Sequence, residues 1–278
     1  MLRFNILGPL EITWHSEHIA APRGPKVRQL LSLLTLQPGS VVSHGSIVDE
    51  LWGKNPPKTA LSTVRTHVYH LRQILRQQVG EQLPPDLVDT WPIGYVLQAS
   101  PKQVDAQQFQ WLARQGETAL GRGDLAAGSD LLKRALEFWR GDSLTDVTKG
   151  PILTQHVQHL EELYIRALQL RISADMQLGL HSHMTAELRS LVIRHPLNEW
   201  LHGQLITALH RSGRRGEALH SYRDLRTILR EELGLDPSAE LQHLHQTILC
   251  DSIGDENSEN FPTGILGTML GTPIRQAS

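Results

Sequence analysis

The chain has 278 residues, 27 Lys and Arg against 29 Asp and Glu, 15 His, one Cys and 40 % apolar residues. That length suits two domains of ordinary size, each with its own core. The lone Cys250 excludes an internal disulfide, no run approaches the roughly eighteen apolar residues of a membrane helix, and no leader-like segment opens the chain, so a cytoplasmic protein with no membrane role is expected.

The net charge of −2 hides an asymmetry. Residues 1–100 carry nine basic and seven acidic side chains, and the remainder eighteen and twenty-two. Between Lys58 and Gln77 stand Lys58, Arg65, Arg72 and Arg76 with no acid at all. A basic stretch of this kind needs an electrostatic explanation.

The chain opens with LRFNILG, LEITW and HIAA, apolar and polar residues alternating between turn residues, which predicts short antiparallel strands. From Pro25 the period becomes helical, with Val27, Leu30, Leu31 and Leu34 on one side and Gly39 closing the element. Ser43 is placed to cap a second, short helix with Ile47, Val48, Leu51 and Trp52 inward, ending at Gly53 and Pro56-Pro57. Thr59 is placed to cap a longer helix whose core stripe is Leu61, Val64, Val68, Leu71 and Leu75. LVDTWPIGYVLQ then reads as a hairpin around a Pro/Gly turn.

The polar, Pro-containing segment Gln98 to Gln103 separates two regimes and is the expected domain boundary. Beyond it the spacing predicts helices over 105–121, 125–140, 154–179, 182–194, 198–211, 214–233 and 237–249. Gly179 and Gly213 stand one tetratricopeptide period, about 34 residues, apart, so a degenerate array is expected. Residues 251–278 have no sustained period and read as a flexible tail.

At about 100° per residue, the face of the third helix opposite its stripe holds Ser62, Thr66, Tyr69, His70 and Gln73, with Arg65, Arg72 and Arg76 on one flank and Thr63 and His67 on the other. Such a face suits a major groove: Arg can bond guanine, Gln can bond adenine, and a Thr methyl can meet a thymine methyl. The flanking Arg and His, Arg72 among them, can hold phosphates, and Lys58 joins the candidate DNA-binding set. A short capped helix, a tight loop, a longer basic helix and a hairpin is the order of a winged helix-turn-helix.

RFNILGPLEI, GPKVRQLLSLLTLQPGSVVSHGSIVDELWGKNPPKTALSTVRTHVYHLRQIL and PIGYVLQ resemble the OmpR-type winged helix of the Streptomyces antibiotic regulatory protein (SARP) family. VDAQQFQWLA, LLKRALEFWRGDSLTDV, LEELYIRALQLRISADMQLG and AELRSLVIRHPLNEWLHGQLITALHRSGRRGEALHSYRDLRTILREELGLDPSAELQHLHQTIL resemble the bacterial transcriptional activation domain that follows it in that family. The resemblance spans about residues 2 to 249. It implies a mainly α chain with an N-terminal α+β part: a winged helix-turn-helix over 1–100, an all-α tetratricopeptide-like activation domain over 101–250, and the tail.

The function implied is sequence-specific activation of secondary-metabolite (antibiotic) genes. The implied partners are double-stranded promoter DNA with direct repeats, a second protomer on the adjacent repeat, and RNA polymerase holoenzyme through its sigma and alpha subunits. This would place the chain at the nucleoid. The family's recognition helix falls on Thr59 to Gln77 and its wing on Leu87 to Leu97, where Thr90 and Tyr95 are the candidate contacts. Ile93 and Trp91 stand where relatives often have Gly and a basic or small residue. Residues 1–100 alone are expected to keep operator preference.

Other constellations are weak. His181 and His183, like His243 and His245, are two apart and diverge on a helix; the histidines read as surface positions. The turn Gly213-Arg214-Arg215-Gly216 reads as an array turn. No phosphate loop, nucleophile elbow, dinucleotide fingerprint, zincin motif or Cys/His quartet occurs, so no enzyme, cofactor or metal site is expected. Two other readings stay open: a helical-repeat adaptor whose front domain binds protein, and a ligand-sensing regulator using the concave side of the array.

Overall fold

The computed structural model describes residues 1–15 and 17–250, and the expectation for the tail lies outside them. The chain forms two compact units, the first running from Met1 to Arg171 and the second beginning at Ile172. The change of pattern at Gln98–Gln103 therefore falls inside the first unit.

The first unit opens with an antiparallel sheet of β1 (Leu2–Asn5), β2 (Glu11–Trp14) and β3 (Glu17–Ile19). Phe4 faces Ile12 across β1 and β2, and both are fully buried. Helix α1 (Pro25–Leu36) follows, with Pro25 in its first turn, where a missing N–H costs nothing. It is buried nearly all round from Gln29 to Leu36 and forms the centre of the unit.

A short strand, β4 (Val41–Ser43), precedes α2 (His44–Trp52). Three residues are too few to show a period, so the sequence did not reveal β4. Ser43 caps α2 as expected, its Oγ accepting from the Ser46 N–H at 3.0 Å. Ile47 and Leu51 are buried and Val48 and Trp52 partly so, but Glu50 is also buried, which the apolar pattern did not show.

Helix α3 (Ala60–Val79) is followed by the hairpin β5 (Val88–Trp91) and β6 (Gly94–Leu97). The second sheet has the order β4-β6-β5, so β5 is an edge strand. Gly94 lies so close to β4 that a Cβ would sit 1.9 Å from the Val42 carbonyl oxygen, and only glycine fits this crossing.

Two expectations for α3 are corrected. Its buried stripe is Ala60, Val64, Val68, Leu71 and Leu75, while Leu61 is 53 % exposed, because the first turn is set by the Ala60 N–H donating to the Pro57 carbonyl. Thr59 occupies the cap position without a side-chain cap bond; its carbonyl instead accepts from the Ser62 and Thr63 hydroxyls at 2.8 and 3.0 Å.

Helices α4 (Asp105–Gly121), α5 (Leu125–Leu136) and the start of α6 (Pro151–Gln177) complete the first unit, and the boundary between units falls inside α6. One hydrophobic core runs from Leu2 through α1, α3 and the wing to Phe109, Leu132, Leu160 and Ala167. Two buried carboxylates tie its parts. Asp105 accepts from the backbone N–H groups of Ile6, Leu7 and Ala106 at 2.7 to 2.9 Å. Burial lifts its carboxyl to about 6, against the lowering pull of those N–H groups and of Arg140.

Glu50 reaches from α2 to the first turn of α6, accepting from the N–H groups of Gly150, Ile152 and Leu153 at 2.6, 2.9 and 3.1 Å. These are donors a helix start leaves without partners. Gln29 donates to the same carboxylate at 3.0 Å, and a Cβ on residue 150 would sit 2.1 Å from the Glu50 carbonyl oxygen.

The second unit contains α7 (His181–Arg194), α8 (Glu199–Arg211), α9 (Arg215–Leu233) and α10 (Ala239–Cys250). Asn198 caps α8, and Gly234 ends α9 in the left-handed conformation. At the Gly213–Gly216 turn Arg214 pairs with Glu217, while Arg215 donates to the carbonyls of Ile248 and Leu249, so both guanidinium groups serve the helical packing. His202 departs from the expected surface position: it is 5 % exposed and lies 3.1 Å from the Pro196 carbonyl.

Candidate nucleic-acid interface

Helices α2 and α3, joined by Gly53–Thr59, form the helix-turn-helix. The C-terminal end of α2 is closed by Lys26, which donates to the Leu51 carbonyl and lies over the Trp52 ring, 5.9 Å from its centroid. A cation is favoured there by the partial negative charge of a helix end. The loop thus holds α3 with its apolar stripe inward and its polar face outward.

Lys58, Ser62, Arg65, Thr66, Tyr69, His70 and Arg76 are exposed, and Thr63, His67, Arg72 and Gln73 partly so. The Thr66 hydroxyl donates to the Ser62 carbonyl at 3.1 Å, which spends its proton on the helix and leaves the oxygen as an acceptor beside the methyl. Gln73 donates to the Tyr69 hydroxyl at 3.1 Å, fixing both side chains on the same face. Lys58, Arg65 and Arg76 have no carboxylate partner among the described residues. His67 is held below the usual histidine range by partial burial, with the positive charges of His70 and Lys26 adding to the effect.

Two expected contacts are placed differently. Tyr95 is 3 % exposed, its ring edge-on to His44 at 5.4 Å, because β6 is the middle strand of its sheet and is buried along its whole length. It is corrected from a nucleic-acid contact to a core residue. Arg72 donates from Nε and Nη2 to the Val88 carbonyl at 2.8 and 2.6 Å, and from Nη2 to Oγ1 of Thr90 at 2.7 Å. Its guanidinium bridges α3 and the wing.

The wing tip shows what the candidate set missed. Trp91 and Ile93 are 47 % and 65 % exposed, and Asp89 holds the tip by accepting from the Thr90 N–H at 2.8 Å and the Trp91 indole N–H at 3.1 Å. The run Trp-Pro-Ile was the available signal, an apolar group at a turn where polar residues are usual. Among the described residues no group of three or more His, Cys, Asp and Glu side chains is placed to hold a metal ion, and no helix is long and apolar enough to cross a membrane.

Comparison with known proteins matches residues 20–97 to the family described as transcriptional regulatory protein, C terminal, and residues 104–249 to the bacterial transcriptional activator domain. The regulatory protein DnrI of Streptomyces peucetius is 39 % identical over 265 residues, covering 94 % of this chain and 97 % of that protein. The transcriptional regulator RedD of Streptomyces coelicolor is 36 % identical over 249 residues, 89 % of this chain and 70 % of its own length. The regulatory protein AfsR of the same species is 38 % identical, but the chain spans only 24 % of it. Among solved structures, Mycobacterium tuberculosis EmbR in complex with a low-affinity phosphopeptide superimposes with a TM-score of 0.77 at 30 % identity, over 91 % of this chain and 66 % of that one.

Proposed function

Because this chain belongs to the Streptomyces antibiotic regulatory protein family, whose OmpR-type and activator domains it carries in order, we propose that it is a sequence-specific DNA-binding activator of antibiotic biosynthetic genes. The observation that carries the reading is the exposed face of α3, rich in hydroxyls and cations, with no acid from Lys58 to Gln77 and, among the described residues, no carboxylate reaching across to Lys58, Arg65 or Arg76. A surface that leaves cations unpaired gains little in the free protein and much against polyphosphate, where each neutralised phosphate releases condensed counterions.

In this reading Ser62, Thr66, Tyr69, His70 and Gln73 face base edges, Arg65 reads a base from the N-terminal half of α3, and Lys58, Thr63, His67 and Arg76 meet the backbone. Thr90 lies at the wing. Residues 1–100 do the reading, and residues 101–250 meet a second protomer on an adjacent direct repeat and the sigma and alpha subunits of RNA polymerase, in the cytoplasm at the nucleoid.

The test is selection of a binding site from random duplexes by the intact chain, followed by a salt titration and footprinting on that site. The expected result is a selected sequence repeated in direct orientation and a linear fall of log K with log salt. Binding with no sequence preference, or with no salt dependence, would refute the reading in favour of a protein-binding front domain.

A further inference from the structure

We infer that Arg72 is a positioning residue that fixes the wing against the recognition helix, and not a phosphate contact. The inference rests on α3 being the DNA-reading helix. Three observations carry it. The Arg72 guanidinium makes three hydrogen bonds to the wing, two to the Val88 carbonyl and one to the Thr90 hydroxyl. The two acceptors come from alternate residues of β5, the edge strand of its sheet, whose outward carbonyls have no strand to pair with. An unpaired carbonyl beside a packed helix costs free energy, and the planar guanidinium fork satisfies it while reaching the hydroxyl as well.

The third observation is charge. From Val88 to Leu97 the one charged side chain is Asp89, and its carboxylate is engaged by Thr90 and Trp91. The wing has no cation with which to grip the backbone, so attraction to phosphate cannot set its angle. The bond to Arg72 does so from inside the protein. It also fixes where the exposed Trp91 and Ile93 stand relative to the polar face of α3. With Nε and both Nη2 hydrogens committed, Arg72 differs in kind from Arg65 and Arg76, which project into solvent.

The test uses the full chain and its variants Arg72→Ala, Arg72→Lys, Thr90→Val and Arg76→Ala. In the first arm no DNA is present. Amide exchange across 87–97 is expected to speed up several-fold in Arg72→Ala and less in Thr90→Val, with α3 still protected. Adding Thr90→Val to Arg72→Ala is expected to change little further, since both remove one coupled contact. Exchange of the wing unchanged in both single variants would overturn the inference whether or not the chain reads DNA.

The second arm uses the duplex selected from random sequence by the unaltered chain. Arg72→Ala is expected to lose hydroxyl-radical protection on the wing flank while keeping methylation protection in the major groove, with an unaltered salt slope. Arg76→Ala is expected to lower that slope by about one unit. A slope lowered by about one unit in Arg72→Ala would make it a phosphate contact and overturn the inference. If Arg72→Ala does not fold, Arg72→Lys and Thr90→Val carry both arms: partial retention of wing protection by lysine supports the inference, and full retention by both variants overturns it. Absence of any selected site would count against DNA reading by α3, and the exchange arm would still judge Arg72.

Discussion

The outer face of α3 and the seam between α2 and α6 use charge in opposite ways. Lys58, just before α3, and Arg65 and Arg76 on it are exposed and have no carboxylate partner among the described residues, and exposed charges add little to stability. In the seam, Glu50 is 2 % exposed and is held by three backbone N–H groups and the Gln29 amide. Taking a carboxylate out of water is costly, and it persists because every acceptor direction is filled. Charge left unsatisfied marks a surface waiting for a partner, whereas charge satisfied in the interior marks architecture.

The largest test of this contrast is truncation. Because Phe4, Ile6 and Leu34 share one core with Phe109, Leu132 and Leu160, a chain ending at Ser100 uncovers apolar surface and leaves Glu50 buried against nothing. The sequence-based expectation that residues 1–100 keep operator preference is therefore replaced: that fragment should aggregate or lose its cooperative melt in circular dichroism. A sharp, reversible melt like that of the intact chain would show that the seam is dispensable.

Next in size is Glu50→Ala, which orphans the N–H groups at the start of α6. About 3 kcal/mol of stability should be lost in urea denaturation, while the salt slope of DNA binding by the folded fraction stays unchanged. Arg65→Ala should do the reverse, costing about 2 kcal/mol on the selected site, less on random DNA, and nothing measurable in the melt. Equal losses on both DNAs would make Arg65 a phosphate contact.

The buried Asp105 gives a smaller effect with a definite sign. Its carboxyl is raised from 3.8 to about 6 in the folded chain, so between those values the folded state holds a proton that the unfolded chain has released. The stability this group contributes is complete below about pH 4 and is lost as pH rises through about 6, a difference of about 1 kcal/mol between pH 5 and pH 7.5. Comparing urea midpoints of the unaltered chain and Asp105→Asn at those two pH values isolates the contribution; identical pH slopes in the two proteins would refute it. Smallest is Thr66→Ser, which deletes one methyl from the exposed face. It should weaken the selected site by about 0.8 kcal/mol only where a thymine methyl faces it, so replacing that thymine with uracil should abolish the difference.

Much of the fold was legible because its elements are periodic. The helical spacing beyond residue 103 placed α4 to α10 within a few residues of their observed limits, and Ser43 announced the start of α2. The polar face of α3 was legible for the same reason, since a stripe of Val64, Val68, Leu71 and Leu75 dictates what lies opposite. Strand β4 was not, and neither was the exposure of Leu61, because a helix start depends on the loop before it as well as on the period.

The sequence by itself determined the order of the parts and the sign of the charge on α3, both of which are properties of neighbours along the chain. Tertiary structure alone decided which of those charges stay free. Arg72 and Arg76 look alike on a helical wheel, yet Val88 and Thr90, sixteen and eighteen residues further on, capture the first and leave the second in solvent. Glu50 likewise reads as an ordinary helical acid until Gly150, a hundred residues away, brings the first turn of α6 to it. Hydrogen bonds between residues this far apart leave no period in the sequence, because their geometry exists only once the core has brought the two segments together.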